Sequence, residues 1–329
     1  MTFRSRTIRA VAVAYGLFVG CSIGAFADEA EQKNLSKPEK LFATITTGGL
    51  TTPSYSVGSA ICKRVNAKSL EHHVYCSILS SGGAIMNVDR LRRGNVTFAL
   101  LKREDLKAAI EGSKIFANPR PLPNLRSVMS AYQLSFLVVA GADSGITDFE
   151  SLKGRRVAVD SEGSDADNLL GRILQITRID LSPPIRKPQD LIPAAICANE
   201  VDAGLLYGVQ PNPALLKAAK QCGLKVFSLS ESTVKTMADR FPDLMSTNVQ
   251  AKTYSGQPAD ITAIGTDYVL TTTKESNPII VKVIVESVLS QLPQLRKSDA
   301  ALSHSTKEGL RPTVTFAPIF EGLDASYDE

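Results

Sequence analysis

Three short stretches of the chain combine glycine with hydroxyl or acidic side chains: Thr46-Thr47-Gly48-Gly49, Ser80-Ser81-Gly82-Gly83 and Glu162-Gly163-Ser164-Asp165. Each follows a β-like run and precedes a helix-like one. N–H groups at a helix start are unpaired and point outward. Glycine lets a ligand approach the main chain, and hydroxyls both donate and accept. Such turns suit the binding of a small polar molecule. They do not supply catalysis. No Gly-Lys-Ser/Thr follows the glycines, so no phosphate cradle of that kind is read. No G-x-G-x-x-G follows a strand, and there is no G-x-S-x-G nucleophile elbow. His72, His73 and His304 lack metal-ligand spacing and read as surface residues. Asp165 and Asp167 sit two apart and diverge on a helix. The chain is therefore expected not to be an enzyme and to use no metal or cofactor.

Strands and helices alternate around these turns. LFATIT, HVYCSIL and VTFALLK read as strands, each followed by a helix-like run. RSVMSAYQLSFLVVAG is strand-like throughout, rich in β-branched and aromatic residues. A second set follows: a strand ending in RRVAVD, a helix over EGSDADNLLGRILQIT with Ser164 as its cap, a helix over RKPQDLIPAAICANEV, the strand DAGLLYG, the helix PALLKAAKQCG and the strand LKVFSLS. Alternation of this kind predicts α/β layers on a mostly parallel sheet. The long strand-like stretches near 127–140 and 259–273 stand where the chain would cross between two lobes and return. The expected division is residues 40–135 for the first lobe, 136–262 for the second, and 263–329 for the return and tail. Ligands of open α/β sheets bind beyond the carboxyl ends of strands, which would bring all three turns to one cleft.

The first 27 residues read as a secretory signal peptide. Arg4, Arg6 and Arg9 precede an apolar run, and Ala25-Phe26-Ala27 fits a cleavage site. Removing 27 residues from 329 leaves 302, and the loss of three arginines takes the formal charge from +4 to +1. Nothing in that balance calls for nucleic acid or an anionic membrane. Residues 28–39 are polar and charged and read as a flexible mature N-terminus. Cys62, Cys76, Cys197 and Cys222 remain after cleavage. An even count in an oxidising compartment points to disulfides. Pairs Cys62–Cys76 and Cys197–Cys222 are expected, because each lies within one lobe; buried free thiols are the alternative.

The run TTGGLTTPSYSVGSAI resembles the opening stretch of the TAXI solute-binding proteins, the substrate-binding subunits associated with TRAP transporters. SSGGAIMNVDRLRRGNVTFALL, SGITDFESLKGRRVAVDSEGS, EVDAGLLYGVQPNPALLKAA and TYSGQPADITAIGTDYVLTTT resemble further segments of that family, in order over about residues 41–300. The resemblance implies a type II periplasmic-binding-protein fold, with two α/β lobes joined by a two-strand hinge around a cleft. It implies a protein that captures a small polar metabolite, an amino acid or a carboxylate, and delivers it to a TRAP-type membrane permease; with the signal peptide, a periplasmic protein is expected, acting as a monomer. Carried over by position, the ligand-binding residues are Thr47, Gly48, Gly49 and Tyr55, then Ser81, Gly82 and Gly83, then Ser164 and Asp165, and finally Gln210, Pro211 and Asn212.

The chain departs from the family pattern where Gly163-Ser164-Asp165-Ala166 replaces G-S-G-T. A carboxylate at Asp165 would repel an anionic ligand, since one like-charge pair at ~4 Å and an effective dielectric near 20 is worth about 4 kcal/mol. A ligand that carries an amine or a neutral polar group toward the second lobe follows from this reading; an Asp165 that faces solvent and favours its helix dipole is the alternative. A sensory periplasmic binding protein feeding a receptor kinase would share every feature so far. A periplasmic enzyme on the same scaffold has no motif behind it.

Overall fold

The computed structural model describes residues 39–117 and 120–328. The expected signal peptide, and all but the last residue of the expected polar N-terminus, lie outside them. Among the described residues no helix is long and apolar enough to cross a membrane.

The strands are β1 (Leu41–Thr46), β2 (Val74–Leu79), β3 (Phe98–Lys102), β4 (Leu125–Ala140), β5 (Val157–Val159), β6 (Ile185–Arg186), β7 (Ala203–Gly208), β8 (Lys225–Phe227), β9 (Met245–Val249) and β10 (Ile261–Thr273). The helices that matter here are α1 (Pro53–Asn66), α2 (Ala84–Arg92), α3 (Arg103–Glu111), α4 (Asp165–Thr177), α5 (Ile192–Cys197), α6 (Pro213–Cys222), α7 (Glu231–Arg240) and α8 (Pro278–Leu289). One sheet runs β2-β1-β3-β10-β4-β7-β5-β6, with β8 on β4 and β9 on β10.

The two long strands sit side by side at its centre, antiparallel over their length, with Tyr268 opposite Tyr132. The expected lobe boundaries at 135/136 and 262/263 fall inside β4 and β10. The sheet is not mostly parallel. Its wings are parallel, β2-β1-β3 on one side and β7-β5-β6 on the other. Its middle is antiparallel, because β10 returns against the direction of β4, and β3, β7, β8 and β9 all pair with one of the two in that sense.

Alternation along the strands builds a core on each face of each lobe. On β3, Phe98 and Leu100 join Ala43, Ile45, Val57 and Ile61 beneath α1 and α8, while Ala99 and Leu101 join Val88, Leu91 and Leu106 beneath α2 and α3. On β4, Phe136 and Val138 face α4 and α7, while Leu137 and Val139 face α5 and α6. Successive strand side chains point to opposite faces, so strands covered on both sides read as unbroken apolar runs, as FALL and LLY do.

Residues 186–201, read as one helix, are not one. Ile185–Arg186 pairs with β5, and only Ile192–Cys197 is helical, with a proline in its first turn. Pro188 accounts for the break, since proline disfavours helix before it and donates no N–H. Strand β9 carries no strong alternation of its own and was not anticipated. Cys62 bonds to Cys76 and Cys197 to Cys222, with Cα separations of 4.9 and 5.7 Å. His72 is half-buried rather than on the open surface, and its Nδ1 accepts the Val74 N–H at 3.1 Å.

Candidate functional site

A cleft of about 900 Å³ opens at the carboxyl ends of β1, β2 and β3 and faces the end of β7 in the other lobe. Its first wall is the β1–α1 turn with Gly48, Gly49, Thr51, Thr52, Pro53, Ser54 and Ser56, beside the β2–α2 turn with Ser81, Gly82, Gly83 and Ala84. The two turns are tied together beneath the surface. Ser81 N–H donates to the Gly48 carbonyl at 3.2 Å, and Ser81 Oγ donates to the Thr47 carbonyl at 2.7 Å. Asn87 donates to the same Thr47 carbonyl at 3.1 Å and accepts from Thr46 Oγ at 2.7 Å. Arg90 clamps Thr46 and the Ser80 carbonyl. The turn residues are thus held before any ligand arrives, which lowers the ordering cost of binding.

A Cβ at Gly48 would lie 2.6 Å from Thr52 Oγ, so a larger residue there would have to displace the Thr52 side chain. Gly83 has φ +128°, in the region that favours glycine. Neither α1 nor α2 carries a side-chain cap. The first N–H groups of α2 and the dipoles of both helices therefore favour an electron-rich group at this wall, while Pro53 gives α1 no N–H at its first position.

The facing wall comes from the second lobe: Gln189, Tyr207, Gly208, Val209, Pro211, Asn212 and Pro213. Asn212 caps α6, its side chain accepting the Leu215 N–H at 3.0 Å. Its own N–H donates to the Tyr254 hydroxyl at 2.7 Å, and that hydroxyl also bonds Gln210. Gln189 accepts the Tyr207 N–H at 2.7 Å.

The floor is aromatic. Tyr132 and Tyr268 stack face to face, centroids 4.6 Å apart, at the middle of the two crossing strands. Tyr132 shares a 2.7 Å hydrogen bond with Ser54. Burial raises the pKa of all three cleft tyrosines, Tyr268 to about 12 and Tyr132 and Tyr207 well above their ordinary value.

Charge enters at the end of β3. Lys102 lines the cleft, and its Nζ lies 6.0 Å from the centre of the Tyr207 ring. It is bound to Asp165 at 2.8 Å and lies 3.7 Å from Glu104. Asp105, three residues past the strand, also lines the cleft, and burial raises its carboxyl to about 6 against the pull of Lys102.

Of the residues singled out from the sequence, Gly48, Gly49, Ser81, Gly82, Gly83, Pro211 and Asn212 come together in this cleft. Thr47 is fully buried behind the wall as a scaffold acceptor. Tyr55 lies on α1, half-buried and outside the lining. Gln210 lines a smaller polar recess on the other side of Tyr132. Ser164 caps α4, accepting the Asp167 N–H at 3.2 Å, and does not line the cleft. Asp165 lies in a neighbouring charged recess with Arg172 and Asp243. Sequence reasoning missed Lys102, Asp105, Tyr132, Tyr207 and Tyr268. Lys102 and Tyr207 stand at or near carboxyl ends of strands already read as such, which was the available signal. Among the described residues no cluster of His, Cys, Asp and Glu could hold a metal ion.

Among solved structures, a TctC solute-binding protein from Polaromonas, without ligand, is 16% identical, with 79% of this chain and 88% of that one covered at a TM-score of 0.54. A polar amino acid ABC uptake transporter substrate-binding protein from Streptococcus thermophilus is 11% identical over 78% and 84% of the two chains, with a TM-score of 0.48. The periplasmic aliphatic sulphonate-binding protein SsuA from Escherichia coli is 16% identical over 88% and 85%, with a TM-score of 0.45. At these identities the likeness is one of fold, and the Polaromonas protein carries it: two α/β lobes about a cleft, as a periplasmic binding protein has. The sequence pattern of the NMT1-like family matches residues 45–329, and the chain belongs to that family.

Proposed function

We propose that this protein is an exported solute-binding protein that captures a small metabolite of the amino acid or carboxylate class between its lobes and hands it to a TRAP-type permease. The observation that carries the reading is the cleft itself. Preformed glycine and hydroxyl turns from one lobe face Pro211-Asn212 of the other, over a neutral aromatic floor. Such a site is concave, largely apolar, and set with a few fixed polar groups, as small-molecule sites are. The TAXI resemblance of the glycine turns and of Gly208-Val209-Gln210-Pro211-Asn212-Pro213-Ala214 supports the permease as partner. The reading of residues 1–27 as a signal peptide supports the periplasm as the place of work, and a monomer suits delivery by a diffusing carrier. Closure of the lobes would bury the ligand and change the surface shown to the partner.

A dye-based thermal-shift screen of the purified protein, without reductant, tests the first step. The panel holds amino acids, mono- and dicarboxylates, polyamines and sugars. A ligand at 100 times its dissociation constant adds about 2.7 kcal/mol, enough for a rise of a few degrees. One chemical class should stabilise the protein. A flat response across the whole panel would count against solute binding.

A further inference from the structure

One carboxylate in the cleft wall has nothing to hold. Asp105 is the third residue of α3 and lines the cleft beside Lys102 and Tyr268. Among the described residues no hydrogen bond and no ion pair reaches its carboxylate. The neighbouring cation is already engaged, since Lys102 binds Asp165 at 2.8 Å and lies 3.7 Å from Glu104. The other carboxylate of the cleft, Asp299, accepts the Ala301 N–H at 2.8 Å.

Burial opposes the charge of Asp105, and the nearby carboxylates of Glu104 and Asp165 add to that, while Lys102 and Lys114 act the other way. A partly dry, unpaired carboxylate lowers the stability of the empty protein unless a cation meets it. The surroundings suit a cation. Tyr132, Tyr207 and Tyr268 line the same cleft as neutral rings, whose faces carry the negative end of their quadrupole.

We propose that Asp105 is the cation acceptor of the cleft, and that the ligand carries an ammonium group placed between the Asp105 carboxylate and the Tyr268 ring. The inference rests on the solute-binding reading above and narrows its ligand to amine-bearing molecules. It moves the steering role that the sequence suggested for Asp165 to a residue of the opposite lobe.

The test uses matched probes on the purified protein: common L-amino acids, 4-aminobutanoate, putrescine, cadaverine, spermidine and tyramine, each beside the same skeleton with hydroxyl in place of amine. Thermal shift identifies the stabilisers, and calorimetry gives their affinities for the native protein, Asp105→Asn and Asp105→Glu. Amine members should stabilise and their hydroxyl partners should not. Asp105→Asn should weaken the amine at least about tenfold, as loss of a charge-assisted partner does, and Asp105→Glu should keep the preference. The empty Asp105→Asn protein should melt a few degrees higher, a gain that a purely structural carboxylate would not release. Native affinity should fall about tenfold between pH 7 and pH 5, as protons compete for the carboxylate.

Hydroxyl probes that bind as well as amines, or an Asp105→Asn protein that binds amines undiminished, would overturn the proposal and leave solute binding standing. Stabilisation by carboxylates or sugars with no response to any amine would do the same. No stabiliser of any class would count against both.

Discussion

Asp105 and Asp165 both sit in the first turn of a helix, yet they meet opposite surroundings. Asp165 is more than half exposed and bound to Lys102. Asp105 is withdrawn from water and unpaired. Its folded pKa, about 6, lies above the ordinary value of 3.8, so folding favours the protonated form. Its penalty is therefore absent below about 3.8 and complete above about 6. From the size of that displacement, it amounts to at most about 3 kcal/mol at neutral pH. Urea titrations should show the native protein losing stability between pH 4 and pH 6.5 relative to Asp105→Asn, and an unchanged difference across that range would refute this account.

Arg103, two residues away, stands in a different balance. Its guanidinium grips Asp267 with Nε to Oδ1 at 2.7 Å and Nη2 to Oδ2 at 3.1 Å, and Ser130 donates to the same carboxylate at 2.7 Å. Both charges are buried, so removing one leaves the other uncompensated. Arg103→Met should destabilise the protein by about 3–5 kcal/mol. Arg103→Met with Asp267→Leu should recover much of that, and an equal loss in single and double variants would contradict the pairing.

At the scale of elements, the decisive pair is β4 and β10. They carry the chain between lobes, form the middle of the sheet and place Tyr132 against Tyr268. They are packed tightly at Gly265, where an added Cβ would lie 2.0 Å from the Leu134 carbonyl oxygen and 2.8 Å from the Thr247 methyl. The first of these is backbone and cannot turn aside. Gly265→Ala should force the strands apart at the crossing and cost more than about 2 kcal/mol, the range of overpacked cores. The loss should appear as a lower urea midpoint, together with weaker binding of any ligand that rests on the tyrosines. Alanine tolerated at Gly265 with both properties intact would show that the crossing is not tightly packed. Gly82 makes the contrast: a Cβ there meets only the end of the Met86 side chain, at 3.8 Å.

At the scale of the whole molecule, the two lobes touch through charges as well as through the crossing strands. Lys102 of the first lobe holds Asp165 of the second at 2.8 Å, and Arg172 of the second lies 3.9 Å from Glu104 of the first while binding Asp243 at 2.6 Å. Exposed pairs of this kind contribute on the order of 0.2–1 kcal/mol each and weaken with salt. Asp165→Asn should therefore shift the melting temperature little. It should, however, release Lys102 into the cleft and raise affinity for carboxylates, measured by calorimetry on a mono- and dicarboxylate series. An unaltered profile would mean that Lys102 serves only the contact between lobes.

Local rules read from the sequence were enough for much of this architecture. Glycine and hydroxyl turns after strands, the Ser164 cap, the two long apolar β-runs and the two cysteine pairs are all short-range or lobe-internal features. The α/β class and a two-lobed fold with a cleft followed from their order. The antiparallel centre of the sheet did not, because strand direction at a return is fixed by what lies beside it in space. Strand β9 exists because β10 offers it an edge, and the expected helix over 186–201 is cut short because Arg186 pairs with β5 and Pro188 follows it.

The cleft chemistry was legible only in part for the same reason. The main-chain turns announce themselves by composition. A lysine, an aspartate and three tyrosines from β3, α3, β4, β7 and β10 do not, since nothing in their spacing says that they converge. Asp165 is the clearest case: as a lone carboxylate beside a glycine turn it reads as a repulsive charge facing the ligand. Lys102, 63 residues earlier in the chain, pairs with it in the folded protein. Charge balance in a cleft is a sum over neighbours in space, and only the tertiary structure decides which neighbours those are.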